Sequence, residues 1–198
     1  MLEAYFQSKV AEAGCDEAGR GCLAGPVFAA AVILPKDYHH DVLTDSKKLS
    51  EKNRNSLRKD IEANAIDFAV TAVDNVKIDE INILQASILA MHLSLDKLKK
   101  KFGFIIIDGN YFKPYRDLPY KTIVKGDSRY FSIAAASILA KTYRDEFITE
   151  AHEQYPEYGW IQNKGYATAS HRAAIMKHGL CPLHRRSFQL KEMQLDLF

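Results

Sequence analysis

Carboxylate side chains lie at the ends of three separate apolar segments of the sequence. Asp16 and Glu17 directly follow one segment. Asp108 ends a run of four apolar residues, and Asp127 comes soon after another segment. Because ligand sites in open α/β sheets lie outside strand ends, we expect these four side chains to meet at one sheet edge. The carboxylates of such a cluster repel one another unless a cation neutralises their charge. A site with oxygen ligands and without His or Cys favours Mg²⁺ or Mn²⁺.

The C-terminal part of the chain has the opposite charge. Residues 159–191 contain no Asp or Glu but six cationic side chains, namely Lys164, Arg172, Lys177, Arg185, Arg186 and Lys191. A stretch of positive charge suits a polyanionic ligand, and the alternative is a basic face that only contacts solvent. For each acidic residue taken singly, the alternative is that it caps a turn. Together the acids and the basic region favour a metal-dependent enzyme acting on nucleic acid. They leave open whether it is a nuclease, transposase, polymerase or phosphatase.

The spacing of apolar residues predicts the elements that must position these side chains. Alternating or continuous apolar segments predict five strands, at residues 10–15, 27–34, 67–73, 104–107 and 121–124. Ser50 is predicted to cap one helix and Asp79 a longer one. Two further helices are predicted at residues 132–148 and 168–178.

The longer helix carries apolar residues at spacings of three and four, which predicts a face packed on the core. These residues are Ile81, Leu84, Ile88, Met91, Leu95 and Leu98. Strands dominate the first part of the chain, and helices accumulate towards its end. The order predicts the fold class α/β, with a mixed five-stranded sheet flanked by helices and a helical, basic C-terminal part.

The composition is that of an ordinary globular protein. The 198 residues are 47% hydrophobic and 26% charged, with a net charge of +2, which excludes whole-chain disorder. The longest nearly apolar run, residues 22–34, is interrupted by Gly25 and Pro26 and is too short to span a membrane. There is no secretory signal pattern, and the three cysteines form no CxxC motif. We therefore expect a cytoplasmic, monomeric protein without a membrane partner.

Seven short segments combine acidic, basic, glycine and small residues in a fixed order. They are residues 15–21, 44–50, 107–110, 125–128, 137–141, 164–166 and 184–188. The first, Cys-Asp-Glu-Ala-Gly-Arg-Gly, is the most characteristic. In this order the segments resemble the motifs of the bacterial type 2 ribonuclease H (ribonuclease HII) family. The resemblance implies one ribonuclease H-like catalytic domain over residues 1–188, followed by a tail over residues 189–198.

The resemblance also implies an activity. Family members are endonucleases that hydrolyse the RNA strand of RNA/DNA hybrids and incise at single ribonucleotides embedded in duplex DNA, in ribonucleotide excision repair and primer removal. By position, Asp16, Glu17, Asp108 and Asp127 correspond to the catalytic metal ligands, which hold two Mn²⁺ or Mg²⁺ ions when substrate is bound. The expected products are a 5′-phosphate and a 3′-hydroxyl. Asp145 matches no family carboxylate and is not assigned a role.

Further residues are implied to contact the substrate. The resemblance assigns recognition of the 2′-hydroxyl, the group that distinguishes RNA from DNA, to the backbone of Gly19, Arg20 and Gly21 and to Tyr166. Tyr166 is expected to stack on the sugar of the following deoxynucleotide; a Tyr packed at the base of a loop is the alternative. Five residues are expected to contact phosphates, namely Ser46, Lys47, Asn82, Arg185 and Arg186.

Two other functions remain as alternatives. A type 3 ribonuclease H-like nuclease without junction specificity shares the metal chemistry, and a non-catalytic hybrid-binding module would be expected to have lost a carboxylate. The chain ends in Gln194-Leu195-Asp196-Leu197-Phe198, which resembles the clamp-binding peptide of bacterial replication proteins. Gln194, Leu195, Leu197 and Phe198 are therefore expected to bind a sliding clamp, unless the tail packs on the domain.

Overall fold

The computed structural model describes residues 2–43, 46 and 49–188. The strands are β1 (Glu12–Ala18), β2 (Val27–Ile33), β3 (Asp67–Val73), β4 (Phe104–Asp108) and β5 (Tyr120–Ile123). The helices are α1 (Glu51–Asn64), α2 (Asn75–Ile81), α3 (Ile83–Lys97), α4 (Phe131–Gln154), α5 (Trp160–Asn163) and α6 (Ala169–His178). Short 3₁₀ turns occupy Gly126–Ser128 and Pro156–Tyr158.

The five strands form one mixed sheet in the order β3-β2-β1-β4-β5. β1 is parallel to β4 and β4 is parallel to β5, whereas β2 is antiparallel to both β1 and β3. The carboxyl ends of β1, β4 and β5 therefore lie at the same edge. The predicted architecture, a mixed five-stranded sheet flanked by helices, is confirmed.

The long helix α4 packs on one face of the sheet, across β1 and β2, and α3 packs on the other face. Gly14 allows α4 to approach β1 closely, because a Cβ atom there would lie 2.4 Å from the carbonyl carbon of Ser132. Any larger residue would push the start of α4 away from the strand. This contact lies two residues before Asp16, so it sets how closely α4 approaches the acidic edge.

The prediction for β1 was misplaced by two to three residues. The strand continues through Ala18, so Asp16 and Glu17 lie within it instead of after it. Its antiparallel neighbour explains the extension, since Asp16 pairs with Ala30 and Glu17 with Ala29. The backbone of β2 provides a pairing partner for the acidic residues, which local polarity alone does not reveal.

The predicted role of Asp79 as a helix cap was wrong. The segment forms two helices, α2 capped by Asp74 and α3 capped by Asn82, whose φ of 65° separates them. Asp79 lies inside α2, and its carboxylate accepts hydrogen bonds from the backbone N–H groups of Arg186 and Ser187. The predicted apolar stripe is confirmed, with all six residues packed into one core. Ser50 caps α1 as predicted, accepting from the Asn53 N–H.

The C-terminal part is bonded to the segment that follows β1. The Leu23 N–H donates to the Gly165 carbonyl at 2.8 Å, and the Leu23 carbonyl accepts from the Arg185 N–H at 2.8 Å. The Gly25 N–H donates to the Leu183 carbonyl at 2.9 Å. Residues 22–25 are thus held between two C-terminal segments. Within the described part of the chain, no helix is long and apolar enough to cross a membrane.

Candidate active site

Asp16 lies at the centre of the acidic sheet edge. Its side chain is buried, and burial together with the neighbouring carboxylates of Glu17 and Asp108 raises the pKa of Asp16 well above its ordinary value. Two donors oppose this effect: the Ser137 hydroxyl and the Glu17 N–H, which lies 2.7 Å from Asp16 Oδ1. The edge therefore concentrates negative charge in a place with little water to screen it.

The ends of β4 and β5 deliver the other two carboxylates. Asp108 Oδ1 accepts a hydrogen bond from the Gly126 N–H at 2.7 Å. Asp127, buried, is the next residue in the same 3₁₀ turn. A Cβ atom at Gly126 would lie 2.6 Å from Ile133 Cδ1, so a larger residue there would displace the Ile133 side chain at the start of α4. One hydrogen bond thus ties the Asp108 side chain to the turn that carries Asp127.

The charge and chemistry of this edge fit a divalent cation. All four side chains are oxygen donors, as Mg²⁺ and Mn²⁺ prefer, and a cation would relieve the repulsion that raises the pKa of Asp16. Among the residues described, however, no three His, Cys, Asp or Glu side chains are arranged to hold a metal ion. Glu17 Oε1 instead accepts from Arg20 Nη1 at 3.0 Å. Coordination by the whole cluster therefore requires side-chain rotation.

Ser137, on α4, supports Asp16 from behind. Its hydroxyl hydrogen-bonds to Asp16 and lies 3.0 Å from the hydroxyl of Ser46. Ser46 is 4% exposed, which places it behind the acidic edge and not on an open phosphate-binding surface. Residues 137–141 carried a sequence motif, but nothing in the sequence indicated that Ser137 would contact Asp16.

The loop formed by residues 19–21 follows the acidic strand. Gly19 has a φ of 93°, and a Cβ there would lie 3.3 Å from both the Pro26 carbonyl oxygen and Arg144 Nε. Gly21 has no atom within 4 Å of its corresponding Cβ position. Gly19 is therefore required by the fold, whereas Gly21 leaves open space beside the backbone.

Arg185 supports this loop, which differs from its expected role. Its side chain is buried, and its three guanidinium nitrogens donate to the carbonyls of Gly25, Arg20 and Gly19 at 2.8–2.9 Å. Burial lowers the pKa of Arg185 to about 10. These bonds direct Arg185 towards the loop backbone instead of towards a phosphate.

Tyr166 lies beside the same loop. It forms a backbone bridge with Cys22, and its hydroxyl is hydrogen-bonded to the Cys22 thiol. The Tyr166 side chain is nevertheless partly exposed, and the cationic groups of Lys141 and Arg144 lie 5.5 and 5.1 Å from its ring centroid. Arg144 also donates to the Cys22 sulfur and to the Lys164 carbonyl. The position offers an aromatic face flanked by positive charge, next to the loop that follows Asp16.

The sequence as a whole matches the family model for ribonuclease HII over residues 13–191. A ribonuclease HII of Bacteroides fragilis is 56% identical over 199 residues, which cover 100% of this chain and 99% of that protein. The chain belongs to the ribonuclease HII family. It is accordingly an endoribonuclease of the ribonuclease H type.

Two solved structures resemble this member of the ribonuclease HII family. The ribonuclease HII from Archaeoglobus fulgidus, solved in a complex with PCNA, has 27% identity and a TM-score of 0.72, and the match covers 95% of this chain and all of that one. Bst-RNase HIII in complex with Mn²⁺ has 21% identity and a TM-score of 0.77, with coverage of 98% and 72%. The second likeness concerns the fold alone.

Two of the remaining residues predicted to contact the substrate or a partner of this ribonuclease HII have hydrogen bonds within the fold, and the others lie outside the described residues. Asn82 caps α3, its side chain accepting from the Gln85 N–H at 3.1 Å. Arg186 is exposed, with its backbone held by Asp79. Lys47 and the tail residues Gln194, Leu195, Leu197 and Phe198 lie outside the described residues.

Asp145, which was assigned no role from the sequence, is part of a buried ionic group on α4. Its Oδ1 accepts from Lys141 at 2.8 Å and from Arg144 at 3.0 Å. Lys141 and Arg144 are the two cations beside the Tyr166 ring. The sequence contained this cluster within one helical turn but gave no sign that Tyr166 would lie over it.

Proposed function

We propose that the protein is an endonuclease that hydrolyses the RNA strand of RNA/DNA hybrids and incises at single ribonucleotides within duplex DNA. The observation that carries the proposal is the convergence of carboxylates near the ends of three parallel strands, followed by a glycine loop whose next residue, Cys22, is bridged to Tyr166. The first feature supports hydrolysis of a phosphodiester, and the second supports recognition of a sugar.

In this mechanism Asp16, Glu17, Asp108 and Asp127 would hold two divalent cations. When bound, such cations would lower the pKa of a water molecule and offset the negative charge that develops on the leaving 3′ oxygen. Ser137 orients Asp16 through its hydroxyl, and the Gly126 N–H orients Asp108. The products are a 5′-phosphate and a 3′-hydroxyl.

The loop of residues 19–21 reads the 2′-hydroxyl of the ribonucleotide. The open space beside Gly21 allows the backbone to approach the sugar, and the bonds from Arg185 hold the neighbouring carbonyls in place. Tyr166 stacks on the next deoxyribose, so the RNA-to-DNA junction is the preferred site of cleavage. Exposed cations such as Arg186 contact phosphates and fix the register of the duplex.

The type 3 alternative differs in this second feature. A nuclease without junction specificity would use the carboxylates in the same way but would not require an aromatic ring beside the glycine loop. The ring is present, and its hydroxyl is hydrogen-bonded to Cys22, the residue directly after that loop, which favours the junction-specific function. The intact set of four carboxylates argues against a hybrid-binding module without catalysis.

The activity is tested with a duplex containing one ribonucleotide, compared with a uniform RNA/DNA hybrid, in Mg²⁺, Mn²⁺ or chelator. We expect cleavage of both substrates that depends on metal. Tyr166→Ala should lose incision at the single ribonucleotide at least about tenfold more than cleavage of the hybrid, because the hybrid lacks the deoxyribose on which the ring stacks. Tyr166→Phe, which keeps the ring, is the control. Equal losses on the two substrates would be compatible with the proposed nuclease activity but would exclude junction reading by Tyr166.

Such an enzyme would act in ribonucleotide excision repair and primer removal. We place it in the cytoplasm, because cysteines remain reduced there, and we expect it to be a monomer. The described Cys15, Cys22 and Cys181 are unpaired and buried. The C-terminal tail would bind a bacterial sliding clamp and bring the nuclease to newly made DNA; the complex of the Archaeoglobus fulgidus relative with PCNA supports an association of this kind.

A further inference from the structure

Two buried histidines connect Tyr166 to the C-terminal segment. His171 lies in the first turn of α6, and its Nδ1 is 2.9 Å from the carbonyl oxygen of Tyr166. Its Nε2 is 3.2 Å from Nε2 of His184, and Nδ1 of His184 accepts from the Cys181 N–H at 3.0 Å. Neither imidazole is exposed to solvent. The result is a continuous chain of hydrogen bonds from residue 181 to residue 166.

The partners of this chain determine the tautomer of each ring. A carbonyl only accepts, so His171 carries its proton on Nδ1 and donates to Tyr166. Its Nε2 is then an acceptor for Trp160 Nε1–H, at 3.0 Å, and for His184. His184 accepts at Nδ1 from a backbone N–H and so donates from Nε2. Every ring nitrogen has a partner while both imidazoles are neutral.

This series of hydrogen bonds holds the backbone from which the Tyr166 side chain projects. The Tyr166 carbonyl also accepts from the Thr168 N–H at 2.8 Å, and His171 connects this carbonyl to Trp160 and His184. The connection adds to the direct backbone bridge between Tyr166 and Cys22. His184 is held in turn by a β-bridge to Ala24, and its carbonyl accepts from Asn75 on α2. The Tyr166 backbone is thereby anchored to the same segment, residues 22–25, that follows the glycine loop.

We propose that His171 is a positioning residue for substrate recognition, which holds the Tyr166 ring at the RNA–DNA junction through its Nδ1–H bond and is itself oriented by His184. This rests on the proposed role of Tyr166. A pair of hydrophobic residues could fill the same space, but it would leave the Tyr166 carbonyl with the Thr168 N–H as its donor and without the one from α6. The donor at Nδ1 is the part of the pair that acts on the substrate-facing segment.

Two variants of His171 separate positioning from packing. In His171→Asn the amide nitrogen lies near the former Nδ1 and keeps the donor to Tyr166, while contact with Trp160 and His184 is lost. In His171→Gln the amide lies near the former Nε2, so it keeps the acceptor for these two residues and loses the donor to Tyr166. Both variants should lower the melting temperature, but only His171→Gln should reduce the ratio of junction incision to hybrid cleavage, by about tenfold. An unchanged ratio in His171→Gln, or equal reductions in both variants, would overturn the proposal.

Tyr166→Ala is measured beside these variants. If it leaves the ratio unchanged, the proposed junction reading by Tyr166 has failed; if it lowers the ratio while His171→Gln does not, only the positioning role has failed. A second measurement needs no variant. Long-range ¹H–¹⁵N NMR spectra of the wild-type protein should show the Nδ1–H tautomer for His171 and the Nε2–H tautomer for His184. The Nε2–H tautomer at His171 would overturn the proposal.

Discussion

At the scale of single residues, burial and then mutual repulsion among carboxylates oppose the negative charge of the acidic edge. Asp16 is buried, and both Glu17 and Asp108 oppose its ionisation. The acidic edge therefore destabilises the fold when no cation is bound and favours the binding of a cation. This trade-off makes stability and activity respond in opposite directions to the removal of a charge.

Asp108→Asn is expected to abolish cleavage without unfolding the protein. The amide oxygen can still accept from the Gly126 N–H, but one negative charge beside Asp16 is lost. We expect activity in Mn²⁺ to fall by at least about 10³-fold. The melting temperature in chelator should be equal to or above that of the wild type.

The control for this variant is Asp117→Asn, the same chemical change at an exposed position. It should alter neither the activity in Mn²⁺ nor the melting temperature in chelator. Activity near that of the wild type in Asp108→Asn would contradict the assignment. A large fall in its melting temperature in chelator would contradict the idea that the edge is destabilised by repulsion.

Gly19 and Gly21 provide a second contrast, between a residue required by the fold and one proposed to contact the substrate. Gly21→Ala should change the free energy of unfolding by less than about 0.5 kcal/mol, because the added methyl group meets no atom, yet it should lower cleavage of both substrates. Gly19→Ala should cost about 1–3 kcal/mol from its positive φ. Urea denaturation and cleavage assays of the two variants test this, and full activity of Gly21→Ala would show that the substrate does not approach its backbone.

At the scale of elements, the sequence predicts what is determined locally. The five strands and the start of α1 follow from apolar spacing and a cap, since these signals lie within a few residues of the element. Asp79 was misassigned because its partners, Arg186 and Ser187, lie more than a hundred residues away. The buried positions of Ser46 and Arg185 escaped prediction for the same reason: a Ser or Arg in a polar segment resembles a surface residue until its tertiary partners are known.

The histidine pair between α6 and the C-terminal segment predicts how stability depends on pH. Burial and His171 lower the pKa of His184 to about 4, below its unfolded value of about 6.5. The unfolded chain therefore binds more protons between these pH values, and stability is lost as the pH falls from about 6.5 towards 4. The loss attributable to His184 should reach about 3 kcal/mol at pH 4.

His184→Asn tests this prediction, because it lacks the titrating group while other groups remain the same. We expect urea denaturation to show a smaller decrease in its stability between pH 7 and pH 4 than in the wild type. Parallel pH profiles for the two proteins would show that His184 does not titrate below its ordinary range. The comparison is independent of nuclease activity.

At the scale of the whole molecule, the C-terminal part is joined to the segment that follows β1 by backbone hydrogen bonds. Residues 22–25 are bonded on one side to residue 165 and on the other to residues 183 and 185. The basic region predicted from its charge therefore has a partly internal role. Arg185 is bound to loop carbonyls, while Arg186 next to it remains exposed. The net charge of the region overstates what it can offer to a nucleic acid.

The C-terminal tail is where this molecule would connect to the replication machinery. Its Gln194, Leu195, Leu197 and Phe198 follow the last family segment by only a few residues, and three large apolar side chains on a tail favour burial in a pocket. A truncation after Met193 should lose binding to a bacterial sliding clamp, as should a full-length variant with Leu197→Ala and Phe198→Ala. The wild type and both variants should cleave a short junction duplex at the same rate, because tethering raises the local concentration of the enzyme only on clamp-loaded DNA. A full-length protein that does not bind the clamp, or a truncation that lowers the melting temperature, would instead make the tail part of the folded domain.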